Sequence, residues 1–175
     1  MKASLDALTW LEPDGTFHYQ VLNETGSNLI RQRVLHAALE EEQRARAAKD
    51  TSGDLIPANY DFMLEQESTD KLLRIHVTPR RKSVRLLDGT VLATREAADM
   101  VSVEGRLSKR PSFWTRRVDV TRRYARVAGV RVPLDMRSRA DVLIVGESTF
   151  SMTYDYLEIN GHPVEKSLVS GTPQD

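Results

Sequence analysis

The sequence predicts a mainly β (α+β) fold, an antiparallel meander of short strands with one main helix. Two observations lead there. From Asn59 to Tyr156, apolar residues recur at every second position in short runs punctuated by turn residues, the signature of half-buried strands. One stretch alone, Ser27–Lys49, switches to helical spacing, with an apolar stripe on one face. The chain of 175 residues, 40% hydrophobic and 29% charged, has the size and balance of one globular domain.

The elements follow in order. Ala7–Pro13 and Thr16–Thr25 flank Pro13-Asp14-Gly15-Thr16, whose residues favour a turn through fixed φ, a local side-chain hydrogen bond and positive φ. This predicts a hairpin. In the helix, Leu29, Ile30, Val34, Leu35, Ala38 and Leu39 form the apolar face, and Ser27 or Asn28 suits the N-cap. The stripe fades after Leu39, so Glu40–Lys49, with its Glu40/Arg44 and Glu42/Arg46 pairs, reads as a solvated extension. Strands are then expected around Tyr60–Leu64, Leu73–Val77, Ser83–Leu87, Thr90–Ala93, Met100–Arg106, Thr115–Val127, Val130–Met136, Asp141–Val145 and Phe150–Tyr156. Ser68-Thr69-Asp70, Asp88-Gly89 and Gly129 mark turns. Residues 1–161 are expected to form one domain, with the helix at about 27–49, and 162–175 a polar tail that frays.

A sheet must bury its apolar face. One half-amphipathic helix cannot cover so many strands. The sheet therefore closes into a barrel, folds into a sandwich, or stays open and curled with the helix as a partial plug. The last arrangement leaves an apolar concave surface, of the kind that marks interaction sites.

Composition excludes several function classes. The 25 Lys+Arg cancel the 25 Asp+Glu, which argues against a polybasic nucleic-acid binder. Without cysteine there is no disulfide framework, thiolate metal site or cysteine nucleophile. Mean hydropathy is -0.43, and no apolar run approaches the ~20 residues of a spanning helix. His18, His36, His76 and His162 are scattered, without H-x-x-x-H or H-E-x-x-H spacing, so neither a metal nor a cofactor is expected. No nucleophile elbow or glycine-rich phosphate loop occurs, and no catalytic residue is assigned. Met1–Ser4 run directly into patterned sequence with no export-signal pattern, as expected of a cytoplasmic chain or one whose signal has been removed.

The runs His76-Val77-Thr78-Pro79-Arg80-Arg81-Lys82, Val103-Glu104-Gly105-Arg106 and Pro111-Ser112-Phe113-Trp114-Thr115-Arg116 carry a family resemblance. The closing Gly146-Glu147-Ser148 before alternating Phe150, Met152 and Tyr154 adds to it, as does Pro57-Ala58-Asn59-Tyr60-Asp61-Phe62. Over roughly residues 21–161 the chain resembles LolA-like, outer-membrane-lipoprotein-sorting-type bacterial proteins. The resemblance implies an open half-barrel with a helical plug. It implies non-enzymatic carriage of a lipid or acylated protein in the periplasm or cell envelope. It supplies no catalytic residues.

The candidate residues follow from this reading. Phe62, Leu64, Leu73, Ile75, Val77, Val101, Val103, Val118, Val120, Phe150, Met152 and Tyr154 form either an ordinary core or the wall of a lipid cavity. Phe113 and Trp114 are either a packing anchor or a gate at the cavity rim. Arg80, Arg81, Arg116 and Arg122 belong to basic clusters that either sit solvated on the sheet or receive anionic head groups. By strand alternation, Arg116 and Arg122 share a face. The alternative to a carrier is a structural or protein-interaction envelope module. In that reading the apolar face is filled internally, and an edge strand or the arginine-rich face binds a partner protein.

Overall fold

The computed structural model describes residues 2–65, 71–143 and 146–164. The chain groups into two compact units, Met1–Ser52 and Gly53–Asp175, where the sequence reading placed residues 1–161 in one domain.

In the first unit, β1 (Ala3–Leu11) pairs antiparallel with β2 (Phe17–Gly26), closing with Leu11 opposite Phe17. The turn forms as its residues predict. Gly15 takes φ +88, where a side chain is costly. The Asp14 carboxylate accepts the Thr16 N–H at 2.8 Å.

The chain is helical from 28 to 47, but not uniformly α. Asn28–Ile30 is an α turn, Arg31–His36 is wound as a π-helix, and Ala37–Ala47 is α-helical. Residues five apart lie about 140° apart around an α-helix. A π turn, bonded from i to i+5, brings Arg31 and His36 round to one carboxylate. Arg31 Nη1 lies 2.6 Å from Glu24 Oε1, and His36 Nε2 lies 2.8 Å from Glu24 Oε2. The His36 hydrogen bond, opposed by desolvation and aided by the Arg31 charge, holds the Glu24 carboxyl below its ordinary value. Val34, inside the π turn, and Leu29, just before it, are both exposed, so the expected apolar stripe is not continuous. No residue of the three helical segments is buried, so Ile30, Leu35, Ala38 and Leu39 of the expected apolar face are only half-buried, while Glu40, Glu42, Gln43 and Arg44 of the expected solvated extension are exposed. The helix end returns to the hairpin through Gln43, whose Nε2 donates to the Phe17 carbonyl at 3.2 Å.

The second unit contains an open seven-stranded antiparallel sheet in strict chain order. Its strands are β3 (Tyr60–Leu64), β4 (Leu72–Pro79), β5 (Leu87–Thr94), β6 (Met100–Leu107), β7 (Thr115–Val127), β8 (Val130–Val142) and β9 (Gly146–Thr153). The outer strands β3 and β9 are not paired with each other, so the sheet is not a closed barrel. A separate pair, β10 (Glu158–Ile159) with β11 (His162–Pro163), orders the start of the segment expected to fray. The Ser68-Thr69-Asp70 turn, Ile144 and Val145 of the expected Asp141–Val145 strand, and the tail from residue 165 lie outside the described residues.

Two stretches differ from the sequence reading. Ser83–Leu86 is a loop rather than a strand, and Asp88-Gly89 lies inside β5 rather than in a turn. Gly89 sits opposite Gly105 on β6. A Cβ on Gly105 would meet the Gly89 Cα at 2.8 Å, closer than packing allows, so the glycine pair permits a tight strand approach. Likewise, Val130–Met136 and Asp141 onward are not two strands. Arg137–Ala140 carries β8 through without interruption, paired on both sides by β7 and β9. Pro133 is tolerated there because it lies at a register shift against Tyr124 and beyond the reach of β9, whose pairing begins at Asp135.

The misread loop contributes to the core. Leu86 is fully buried and clusters with Tyr60, Val77, Val91 and Val103, with Leu55, Ile75, Leu87, Met100 and Tyr124 packed around them. The Tyr60 hydroxyl accepts the Leu87 N–H at 3.1 Å, and burial pushes the phenol up. Further along, the Tyr156 hydroxyl donates to the Pro133 carbonyl at 2.7 Å. Burial, with neighbouring Tyr154 and Tyr124, pushes Tyr156 up to about 12.

The β7–β8 turn is gripped by one carboxylate. Ala128 and Gly129 both have positive φ, 46 and 79, the pattern of a tight two-residue hairpin. Asp99 receives Arg126 at 2.7 Å and Arg131 at 2.5 Å. The Arg126 hydrogen bond leads, desolvation opposes and Arg131 assists, and together they hold the Asp99 carboxyl below its ordinary value.

Leu86→Ala is expected to cost about 2–5 kcal/mol in denaturant unfolding, because the site is fully enclosed; a loss under about 0.5 kcal/mol would remove Leu86 from the core. Asp99→Asn is expected to lower Tm near neutral pH. A depressed carboxylate stabilises above its unfolded value of about 3.9 and loses that contribution as pH falls through its folded value. The Tm gap between wild type and variant therefore narrows below about pH 4, and a gap unchanged there would exclude the charge as its origin.

Candidate functional site

The register of the sheet sorts its side chains onto two faces. One cross-strand row runs Phe62–Val77–Gly89–Gly105–Val120–Ser138–Phe150. A second runs Leu64–Ile75–Val91–Val103–Arg122–Met136–Met152. These share the apolar face, since residues two apart on a strand point the same way. The rows that alternate with these along the strands belong to the opposite, polar face. They run Glu104–Thr121–Arg137–Ser151, then Arg106–Asp119–Arg139–Thr149, then Arg117–Asp141–Glu147.

On this polar face, opposite charges meet along β7 and across the strands, the cross-strand pairs being the arrangement that favours a sheet pair. Asp119 lies 2.5 Å from Arg117 and 3.5 Å from Arg106, and Arg139 lies 3.4 Å from Glu147. Burial tends to raise the Asp119 carboxyl, but Arg117, through its hydrogen bond and charge, and then Arg106 outweigh it and hold it low. The pattern extends to β3–β5, where Glu65 accepts Arg74 at 2.9 Å and Thr90 at 3.2 Å.

Between two of these polar rows lies an open groove of about 670 Å³. Its floor follows Gly105, Val120, Ser138 and Phe150, and its walls include Glu104, Asp119, Arg137 and Arg139. A smaller neighbouring hollow of about 390 Å³ is lined by Arg117, Asp119, Arg139, Asp141 and Glu147. The groove reaches Thr149, Phe150 and Ser151 of β9, an edge strand with no second strand partner among the described residues. Arg137 is exposed and makes no ion pair among the described residues. Chemically, the site offers guanidinium and hydroxyl donors beside an open row of strand backbone.

The sequence-predicted residues fall in different places. Val77, Val103, Val118 and Val120 are buried, the first two in the core cluster. Leu73, Ile75, Val101, Phe150, Met152 and Tyr154 are half-buried. Phe62 and Leu64 are 43% and 61% exposed at the β3 edge. Val101 is passed over in the pairing, between Ser102 and Met100. Tyr154 lies past the end of β9 and stacks on Tyr156 with ring centroids 6.5 Å apart. Phe113 and Trp114 are both exposed and meet edge to face at 5.4 Å.

The four candidate head-group arginines have different surroundings, although the charges of Arg81 and Arg122 both act on the Tyr60 phenol. Arg80 is bound to Asp61 at 2.7 Å, and Arg81 donates to Asn59 Oδ1 at 2.7 Å. Arg122 stands in the apolar row, its Nε 3.2 Å from Met136 Sδ. Arg116 is skipped by the register between Thr115 and Arg117. That extra residue is a bulge, and it breaks the alternation by which Arg116 and Arg122 were expected to share a face. Arg123, from the same basic clusters, is bound instead to the buried carboxylate of Asp135.

Arg137, Arg139 and Asp119 escaped the sequence reading as a site. Arg137-Ser138-Arg139-Ala140 has no β-branched residue to announce a strand, so its alternation went unread. The available signal was the repeat of Arg at every second position, in phase with Asp135 and Asp141. Among the described residues no cluster of three or more His, Asp or Glu side chains is placed to hold a metal ion. No helix among them is long and apolar enough to cross a membrane. No protein-family model, curated protein or solved structure matches the chain.

Proposed function

We propose that the second unit is a non-enzymatic protein-interaction module of the cell envelope, binding an extended acidic segment along β9. The observation that carries this reading is the junction of the charged groove with an open edge strand. β9 runs for 8 residues, Gly146–Thr153, with Glu147 its only charge and no lysine or proline. Exposed edges of this kind are normally blunted by such residues, and a bare one is a template for strand addition. A strand added there would place one set of side chains over the groove, towards Arg137 and Arg139. The alternate set would extend the apolar face beyond Phe150 and Met152. The preferred ligand therefore alternates acidic and apolar residues.

The test is a synthetic peptide of about eight residues alternating Glu and Val, titrated by calorimetry against the full chain. It is expected to bind, and its Lys/Val counterpart is not. Arg137→Glu is expected to weaken binding at least about tenfold, the equivalent of about 1.4 kcal/mol. N-methylation of the peptide backbone removes the donors that strand addition needs and abolishes binding. Affinity insensitive to both changes would sink the reading.

A second reading has its own observation. Phe62 and Leu64 are exposed on the apolar face, where an acyl chain gains about 0.8 kcal/mol per buried CH₂. This fits the LolA-like half-barrel that the sequence resemblance implies, with the apolar face as a carrier for lipid or acylated protein in the periplasm. A fluorescent fatty acid is then expected to bind saturably, and the double variant Phe62→Glu/Leu64→Glu to abolish that binding. Fatty-acid binding that is not saturable at micromolar protein would remove the carrier reading and leave the peptide reading standing.

A further inference from the structure

The connection between β6 and β7, with the first residues of β7, carries a feature that neither reading above uses. It runs Ser108-Lys109-Arg110-Pro111-Ser112-Phe113-Trp114-Thr115-Arg116. Phe113 is 82% exposed and Trp114 is 52% exposed. Two adjacent large aromatics held out in water are costly, and the question is what covers them.

Their outward position is anchored from below. Thr115 is buried, its N–H donates to the Ser112 carbonyl at 3.2 Å, and the two hydroxyls are 2.8 Å apart. The rings touch edge to face at 5.4 Å, so each supports the other. The Leu143 N–H donates to the Trp114 carbonyl at 2.9 Å, which brings a third exposed apolar residue to the same tip. Around this tip Lys109, Arg110 and Arg116 are exposed and make no ion pair among the described residues. No Asp or Glu lies between Leu107 and Arg117.

We infer that this tip docks on an anionic phospholipid surface. Tryptophan and phenylalanine settle at the boundary between head groups and acyl chains, where an apolar ring body and a polar indole N–H are both satisfied. Unpaired Lys and Arg beside them meet the negative surface potential. Charge complementarity selects the occupant. An apolar protein partner would leave three cations unpaired, whereas an anionic bilayer satisfies rings and charges together. The inference is independent of the groove and of β9.

The test uses the full chain and sedimentation with vesicles of phosphatidylcholine alone or with phosphatidylglycerol. Binding is expected only with phosphatidylglycerol and is expected to weaken as salt rises from about 0.1 to 0.5 M, as the charges are screened. Phe113→Ala/Trp114→Ala and Lys109→Glu/Arg110→Glu are each expected to reduce binding at least about tenfold. All four side chains are exposed, and circular dichroism verifies the fold. The chain has two tryptophans, so in a Trp10→Phe background the emission of Trp114 is expected to shift to the blue on anionic vesicles. Equal binding to both vesicle types, or binding untouched by the aromatic variant, would overturn the inference. So would a blue shift that follows protein concentration without vesicles, since it would assign the tip to a protein interface.

Discussion

Pairing seven consecutive strands so that their alternations line up is the constraint on which the second unit depends. Each strand alternates its side chains, and the pairing lines up those alternations so that Val77, Val91, Val103 and Val120 share one face while Glu104, Asp119, Arg137 and Arg139 share the other. A slip of one residue in any strand would send its apolar set into water. The Gly89–Gly105 pair lets β5 and β6 approach closely enough to hold this alignment. The Asp99 clamp on Arg126 and Arg131 ties the longest hairpin to the turn before β6.

The two faces then acquire different properties for the same geometric reason. The apolar face is partly closed by the chain itself, through Leu86 and Leu55, and it is most open at the β3 edge, where Phe62 and Leu64 are exposed. The polar face cannot close in this way. Its arginines and carboxylates neutralise one another across strands, and the spaces between rows remain as grooves. Exposed pairs of this type contribute little to stability, about 0–1 kcal/mol each. They shape and charge the surface instead, and Arg137 remains available for a ligand.

Much of this was legible from periodicity. β3, β4, β6 and β7 appear where alternation of valine, isoleucine, tyrosine and phenylalanine with polar residues predicts them, and the Pro13-Asp14-Gly15-Thr16 turn forms as its residues require. The helix is legible in extent but not in winding, because the π turn answers to Glu24, a residue on another element. Ser83–Leu87 resembles a strand in composition, yet Leu86 is taken by the core and pulled out of the alternation. Arg137–Ala140 has weak strand propensity, and only the hydrogen bonds of β7 and β9 on either side make it a strand. The site was less legible than the fold. Arg80, Arg81, Arg116 and Arg122 fall in basic runs of the sequence, but Asp61, Asn59, Met136 and a bulge give each a different neighbour.

The sequence by itself determined the antiparallel β class, the single helix, the zero net charge and the alternation that separates apolar from polar residues, because these rest on local spacing and composition. Tertiary structure decided which rows meet, where the bulge at Arg116 resets the faces, which edge stays open and which arginines are paired. Those outcomes depend on register between strands distant in sequence, and no local window of residues contains that information.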